Sequence, residues 1–198
     1  MDEAQAIQSA TNGDLAAFNR LVMAYQSTAY NVAYRIMGDA DAAADACQEA
    51  FLSAFKGIQK FRGGSFKSWI LRIVTNTCYD QLRYKGRRPA NSLEEVAENP
   101  DYSPKLVNGT ERPEEYALRQ ELNHVIQEGI NGLPPDQRTV LVLSDVQGFA
   151  YHEIAEITGV SLGTVKSRLS RARTKLRDYL IEHQELLPAQ YRLVSSTT

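Results

Sequence analysis

The chain has 198 residues, 43% of them hydrophobic, with 22 basic and 24 acidic side chains. That is enough for one medium domain or two small ones, and no apolar run is long enough to span a bilayer. The opening Met1-Asp2-Glu3-Ala4-Gln5 lacks the basic-then-apolar character of a secretory leader, so the expectation is a cytoplasmic protein that inserts into no membrane.

The net charge of −2 hides a strong segregation. Residues 161–177 carry Lys166, Arg168, Arg171, Arg173, Lys175 and Arg177 and no acid. Residues 72–88 carry Arg72, Arg83, Lys85, Arg87 and Arg88 against Asp80 alone. Asp39, Asp41, Asp45 and Glu49 form an acidic block, and residues 91–115 are acidic too. Two basic stretches far apart in sequence point to two contacts with a polyanion. Cys47 and Cys78 stand singly in helical patterns without metal spacing. They read as small buried residues in a reducing compartment, and no cofactor or metal is expected.

Taken in order, the elements are all helical. Leu15, Phe18, Val22, Tyr25, Ala29, Val32 and Ile36 recur every three or four residues, one apolar stripe along a helix that Gly38 closes. Asp39 or Asp41 can cap a second helix running to about Ile58, with Ala43, Cys47, Ala50, Phe51, Ala54 and Phe55 inward. Phe61-Arg62-Gly63-Gly64-Ser65 is a loop, because paired glycines break helices. Ser65 or a neighbour caps a third helix with Phe66, Trp69, Ile70, Ile73, Val74 and Leu82 inward, ending at the latest before Pro89. Residues 90–113 hold prolines, asparagines and acids with no apolar period, the composition of a flexible linker.

A second domain is expected over 114–185, opened by Pro113 with Glu114 and Glu115, with Leu118, Leu122, Val125 and Ile126 inward. Leu133-Pro134-Pro135-Asp136 is a break and a new start, followed by Val140, Leu141, Leu143 and Val146 to Gly148. Two helices come next, about Tyr151–Ile157 and Ser161 to about Leu180, and residues 186–198 form a tail, frayed from Leu187. The first domain covers 1–89, so the expected architecture is all-α, two small helical domains joined by a flexible acidic linker.

Tyr151 to Arg168 carry the sharpest local signal. Ala155 is small where two helices cross, Gly159 suits a left-handed turn, and Ser161 caps the next helix. Leu162, Val165, Leu169, Ala172 and Leu176 make an inward stripe. Thr164, Lys166, Ser167, Arg168, Ser170 and Arg171 are left outward, the donor-rich set a major groove requires. This is a helix-turn-helix, and it indicates DNA binding without saying of which kind.

The first domain supplies the kind. Trp69-Ile70-Leu71-Arg72-Ile73-Val74-Thr75-Asn76-Thr77-Cys78-Tyr79-Asp80-Gln81-Leu82-Arg83, extended by Arg87 and Arg88, resembles the region-two helix of extracytoplasmic-function (ECF) sigma factors of the sigma-70 family. The acidic helix Asp39 to Phe51 resembles the family's polymerase-binding segment, and Leu133 to Leu180 resembles its region four. The resemblance implies a sigma factor that binds core RNA polymerase at its clamp coiled coil and flap and directs it to promoter DNA. It assigns polymerase binding to Asp41, Asp45, Gln48 and Glu49. It assigns the start-proximal promoter element, with a flipped base, to Phe61, Arg62, Arg72, Asn76, Arg83, Arg87 and Arg88, and the upstream element to the outward residues of the last long helix. An anti-sigma partner, a stress or envelope response, and a linker threaded through polymerase channels also follow from the resemblance. Arg72, Asn76, Asp80, Arg83 and Arg87 are three or four apart and share a helix face, where Asp80 can pair with Arg83 or Arg87. Among the aromatics, Phe66 and Trp69 suit core packing and Phe61 is the more open.

Two other classes compete. A stand-alone helix-turn-helix regulator would need a dimer seam or ligand pocket, and the first domain offers neither signature. An enzyme would rest on Glu121-x-x-His124, half of a di-iron pattern whose second half is missing. The expected protein is not an enzyme.

Overall fold

The computed structural model describes residues 2–87, 113–188 and 191. Eight α-helices are seen there: α1 Glu3–Thr11, α2 Leu15–Met37, α3 Ala40–Gly57, α4 Phe66–Arg87, α5 Pro113–Asn131, α6 Pro135–Leu141, α7 Tyr151–Thr158 and α8 Leu162–Glu182. Short 3-10 turns follow α3 and α8, and a π turn, Val142–Val146, extends α6. Among the described residues no helix is long and apolar enough to cross a membrane. The linker expected over 90–113, Arg88, and all of the tail beyond Pro188 except Tyr191 lie outside the described residues.

Capping side chains set the boundaries. Asp14 Oδ1 accepts from the amides of Ala16 and Ala17 at 2.8 and 3.1 Å, and starts α2. Asp39 rather than Asp41 caps α3, accepting from Ala42 N at 2.7 Å. Ser65 Oγ accepts from Ser68 N at 3.1 Å and starts α4. Each satisfies amides that have no partner within the helix.

α2, α3 and α4 pack together with α1 across α2, and α5, α6 and α7 pack around α8. Phe18, Leu21, Val32, Ile36, Ile70, Leu71 and Val74 fill the first core. Ile130, Val140, Leu143, Ile154, Ile157, Val165 and Leu169 fill the second, and the two are continuous through the seam between the units. α1 was not foreseen from the sequence. Its buried positions, Ala6 and Ala10, carry side chains too small to stand out as an apolar stripe.

Several expected inward residues turn outward. Leu15 and Leu162 are each the first residue of a helix and are exposed. A helical side chain leans toward the N-terminus, so there it leans past the end of the core. Leu21 takes the place on α2 that the stripe had left unassigned. Leu118 and Val146, near element ends, are exposed as well. Phe55 is 42% exposed although its ring meets Phe18 at 5.1 Å. In the tail, Leu187 is buried rather than frayed.

The two helical units pack directly on each other, α7 against α4, and α5 and α6 against α2. Arg138 of α6 is the centre of this seam and is 8% exposed. Its guanidinium donates to the carbonyls of Ile36, Asn131 and Leu133. Ile36 lies in the last turn of α2, whose carbonyls lack helical partners and carry the negative end of the helix dipole. Burial pulls the Arg138 guanidinium below its ordinary value. Beside it, Arg35 Nη1 donates to Gln127 Oε1 at 2.9 Å, and Gln127 Nε2 donates to Asn131 Oδ1 at 2.9 Å. Tyr79 Oη donates to Pro135 O at 3.2 Å, and Lys67 Nζ sits 4.7 Å from the Phe149 ring centre. Gly38 ends α2 at φ +74° beside Asn131, whose amide lies under 3 Å from where a Cβ would stand.

Candidate nucleic-acid and polymerase interfaces

The helix-turn-helix is formed by α7 and α8. Gly159 takes φ +68° between them, and its amide donates to Ala155 O at 2.9 Å. Ser161 caps α8, accepting from Thr164 N at 3.2 Å. Val165, Leu169 and Ala172 face inward. Lys166, Ser170 and Arg171 are exposed, whereas Thr164, Ser167 and Arg168 are half-buried. The hydroxyls of the half-buried pair have local partners. Thr164 Oγ1 lies 2.8 Å from Ser161 Oγ, and Ser167 Oγ donates to Thr164 O at 3.0 Å.

Half of the cations on α8 are already engaged. Arg168 Nε donates to Asp136 Oδ2 at 2.9 Å. Arg173 forks onto Asp145 at 2.9 and 2.6 Å, tying α8 to the π turn, and Arg177 pairs with Asp178. The hydrogen bonds from Arg173 hold the Asp145 carboxyl below the usual carboxylate range. Lys166, Arg171 and Lys175 have no acid within 4 Å among the described residues. Sequence reasoning missed these pairings, because Asp136 and Asp145 are far from α8 along the chain and only the fold brings them together.

α4 presents a different face. Phe66, Ile70, Leu71, Val74 and Cys78 are buried. Arg72, Asn76, Asp80 and Arg83 are exposed, as their spacing requires. No ion pair joins Asp80 to Arg83 among the described residues. Arg87 ends α4, and its side chain lies outside the described residues. Before α4, Arg62 is exposed. Phe61 is half-buried, its ring edge-on to Phe66 and Trp69 at centroid distances of 5.8 and 5.3 Å. Phe66 is core, while Trp69 and Phe61 are both partly buried, so Phe61 does not stand apart as the open ring.

On α3, Asp41, Asp45, Gln48 and Glu49 are all exposed. Glu49 accepts from Gln81 Nε2 of α4 at 3.0 Å. Leu52, 56% exposed, lies seven residues after Asp45 and so continues the same face. His124 is an exposed side chain 3.6 Å from Glu128. Among the described residues no three His, Cys, Asp or Glu converge as a metal site would require. The buried Cys47 and Cys78 thiols are each pushed up to about 12, chiefly by desolvation, so neither is a thiolate at neutral pH.

In chain order the cationic helix beside an acidic one comes first and the basic helix after a tight turn second, and family models match the two units in that order. Residues 21–88 match the family model Sigma-70 region 2, and residues 124–176 match Sigma-70, region 4. The chain belongs to the ECF sigma factors of the sigma-70 family. It is 37% identical to the RNA polymerase sigma-H factor of Pseudomonas aeruginosa over 172 residues, 85% of this chain and 89% of that one. It is 37% identical over 174 residues to the ECF RNA polymerase sigma factor SigE of Mycolicibacterium smegmatis, spanning 86% of this chain and 65% of the relative. Among solved structures, the sigma factor RpoE of Bartonella quintana, in complex with the anti-sigma factor NepR, has a TM-score of 0.64 and 27% identity. That match covers 82% of this chain and 96% of the other. The chain is thus a non-enzymatic initiation factor that directs transcription, with a DNA-binding helix-turn-helix in its region 4. Membership of the family implies core RNA polymerase and promoter DNA as its partners.

Proposed function

We propose that the two exposed donor faces divide promoter reading between them. Lys166, Ser170 and Arg171 of α8, supported by Thr164, Ser167 and Arg168, read the upstream duplex element through its major groove. Arg62, Arg72, Asn76 and Arg83, with Phe61, Arg87 and Arg88, hold the start-proximal element and help to melt it. Extruding a base costs a few kcal/mol, which aromatic and cationic contacts must offset. Asp41, Asp45, Gln48 and Glu49 meet the clamp coiled coil of polymerase, region 4 meets the flap, and residues 90–113 thread polymerase channels as a nucleic-acid mimic. The units divide at 1–89 and 114–185.

The observation that carries this reading is the presence, on one chain, of two amphipathic helices that each bury an apolar side and expose a donor-rich one. The seam at Arg138 fixes the two faces relative to each other. Reading two separated elements then requires the seam to open, and polymerase opens it by binding each unit separately. An anti-sigma protein, the kind of partner found on the similar RpoE, would hold the units together until a stress or envelope signal releases them.

Transcription by purified bacterial core polymerase, with and without the chain, on promoter fragments from its own genome tests this. Specific transcripts that require the chain are expected, and their start sites locate both elements. Tight, sequence-specific DNA binding by the chain alone, with no such transcripts, would favour a stand-alone regulator.

A further inference from the structure

α8 carries three arginines paired with acids, and they are not paired in the same way. Arg173 gives both Nε and Nη2 to Asp145, at 2.9 and 2.6 Å. Arg177 gives the same two nitrogens to Asp178, at 3.0 and 2.6 Å. In each, one of the two terminal nitrogens is therefore already engaged. Arg168 meets Asp136 through Nε alone, at 2.9 Å. Its two terminal nitrogens have no hydrogen-bond partner among the described residues, and neither is sealed from solvent. The Arg168 side chain is only 25% exposed, so its stem is packed while its tip reaches water.

The local chain holds Asp136 in place. It is the second residue of α6, after Pro134 and Pro135, whose rings fix φ at the entry to the helix. The Pro135 carbonyl accepts from Thr139 Oγ1 at 2.9 Å and from Tyr79 Oη of α4 at 3.2 Å. Thr139 belongs to α6 itself, so its bond to Pro135 does not depend on α4. On α8, Arg168 follows Thr164 by four residues and precedes Arg171 by three, which places all three on one line of the helix.

We propose that Asp136 is a positioning residue for upstream recognition: it holds Arg168 from behind by Nε and points the two terminal amino groups at one guanine of the upstream element. This rests on the reading that α8 lies in the major groove of that element. The unengaged groups select the base. Two N–H donors side by side match two acceptors side by side, and guanine alone shows such a pair, O6 and N7, on its major-groove edge. Adenine has a donor beside N7, thymine one acceptor beside a methyl group, and cytosine a donor. An arginine without a brace gives up its rotamer freedom when it binds, and one that is already held gives up less. The brace also keeps the guanidinium from turning to a neighbouring phosphate, a contact that carries no sequence information. Asp136 thereby sharpens specificity without touching DNA.

The test uses holoenzyme assembled from core polymerase and the full chain, binding one of its own promoters with the upstream element randomised. The sequences bound by wild type are compared with those bound by Asp136→Ala, Asp136→Asn, Arg168→Lys and the double variant Asp136→Ala with Arg168→Lys. In Arg168→Lys, preference for guanine at one position should fall by about tenfold, the loss of one good base contact. In Asp136→Ala it should fall at that same position by about threefold, the loss from freeing one arginine side chain. Asp136→Asn keeps an acceptor facing Nε and should retain most of the preference. The double variant should lose no more than Arg168→Lys alone, because Asp136 acts only through Arg168. A uniform fall with the base profile intact would assign Arg168 to a phosphate and overturn the proposal. Additive losses in the double variant, equal losses in the two Asp136 variants, or an unchanged profile in Asp136→Ala overturn it as well. Arg171→Ala is the separate control. If it too leaves the upstream profile unchanged, the placement of α8 in the groove fails; if it alters the profile while the Asp136 and Arg168 variants do not, only the role of Asp136 fails.

Discussion

α4 and α8 look alike in sequence, each a basic amphipathic helix, yet the fold treats their charges differently. On α8, Arg168, Arg173 and Arg177 are paired with Asp136, Asp145 and Asp178. On α4, Arg72 and Arg83 are exposed, and the acid on the same face, Asp80, is not paired with Arg83. A paired arginine keeps a fixed direction and loses little further freedom when it docks, whereas an unpaired one keeps its rotamer freedom until it binds. On the proposed division of roles, the donors of α8 that read the duplex and have no partner among the described residues are Lys166, Ser170 and Arg171, flanked by arginines held in fixed directions. A charge count overstates the donors that α8 has free, while Arg72 and Arg83 of α4 form no ion pair among the described residues.

The seam between the units is where the largest effect is expected. Arg138→Met removes the donor to three carbonyls, and leaving a buried acceptor unpaired costs about 1–3 kcal/mol. Denaturant unfolding of the isolated chain should lose about 3 kcal/mol and separate into two transitions, one for each unit. A single, unshifted transition would show that the seam contributes nothing to stability. Gly38→Ala attacks the same seam from the other side. It places a methyl group in the left-handed region and against the Asn131 amide, so a loss of about 1–3 kcal/mol is expected. Pairing it with Asn131→Ala should recover the steric part and leave the backbone part.

The helices, their order and the helix-turn-helix were legible because capping residues, glycine stops and the three-four apolar period are local signals. Asp14, Asp39, Ser65 and Ser161 all cap where a capping residue was available. α1 was not legible, because the positions it buries, Ala6 and Ala10, carry side chains too small to mark an apolar stripe. The seam was not legible either. Arg138 reads as one more basic residue of a second domain, and only the fold shows it buried against α2. Likewise, nothing local distinguishes Arg171, which has no acid partner among the described residues, from Arg173, which forks onto Asp145. The family resemblance supplies the proposed roles of the site residues, while periodicity carried the exposure of Arg72, Asn76, Arg83, Lys166, Ser170 and Arg171 but not the partial burial of Thr164, Ser167 and Arg168.

Substitutions on the two faces sharpen the contrast between α4 and α8. Arg171→Ala should weaken recognition of the upstream element by about 1–3 kcal/mol, read as holoenzyme binding to promoters that differ there. Asn76→Ala should instead slow promoter melting and leave polymerase affinity intact. A loss of polymerase binding in that variant would mean that Asn76 supports the fold.

The smallest effect is expected where α8 is tied down. The Arg173–Asp145 fork is partly exposed, and pairs of that kind contribute up to about 1 kcal/mol. Its pH dependence has a definite sign. The Asp145 carboxyl is held below its ordinary value by Arg173, so the folded state binds its proton less readily than the unfolded chain does. The contribution is present above the unfolded carboxylate value, about 3.9, and is lost as pH falls through the lower folded one. Asp145→Asn should therefore be slightly less stable than wild type at neutral pH, and the two should converge in acid below about pH 4. An equal gap at every pH would assign the loss to packing at the π turn instead of to the ion pair. If the gap closes in acid and upstream promoter affinity falls alongside it at neutral pH, the fixed direction of Arg173 is part of how α8 is presented to DNA.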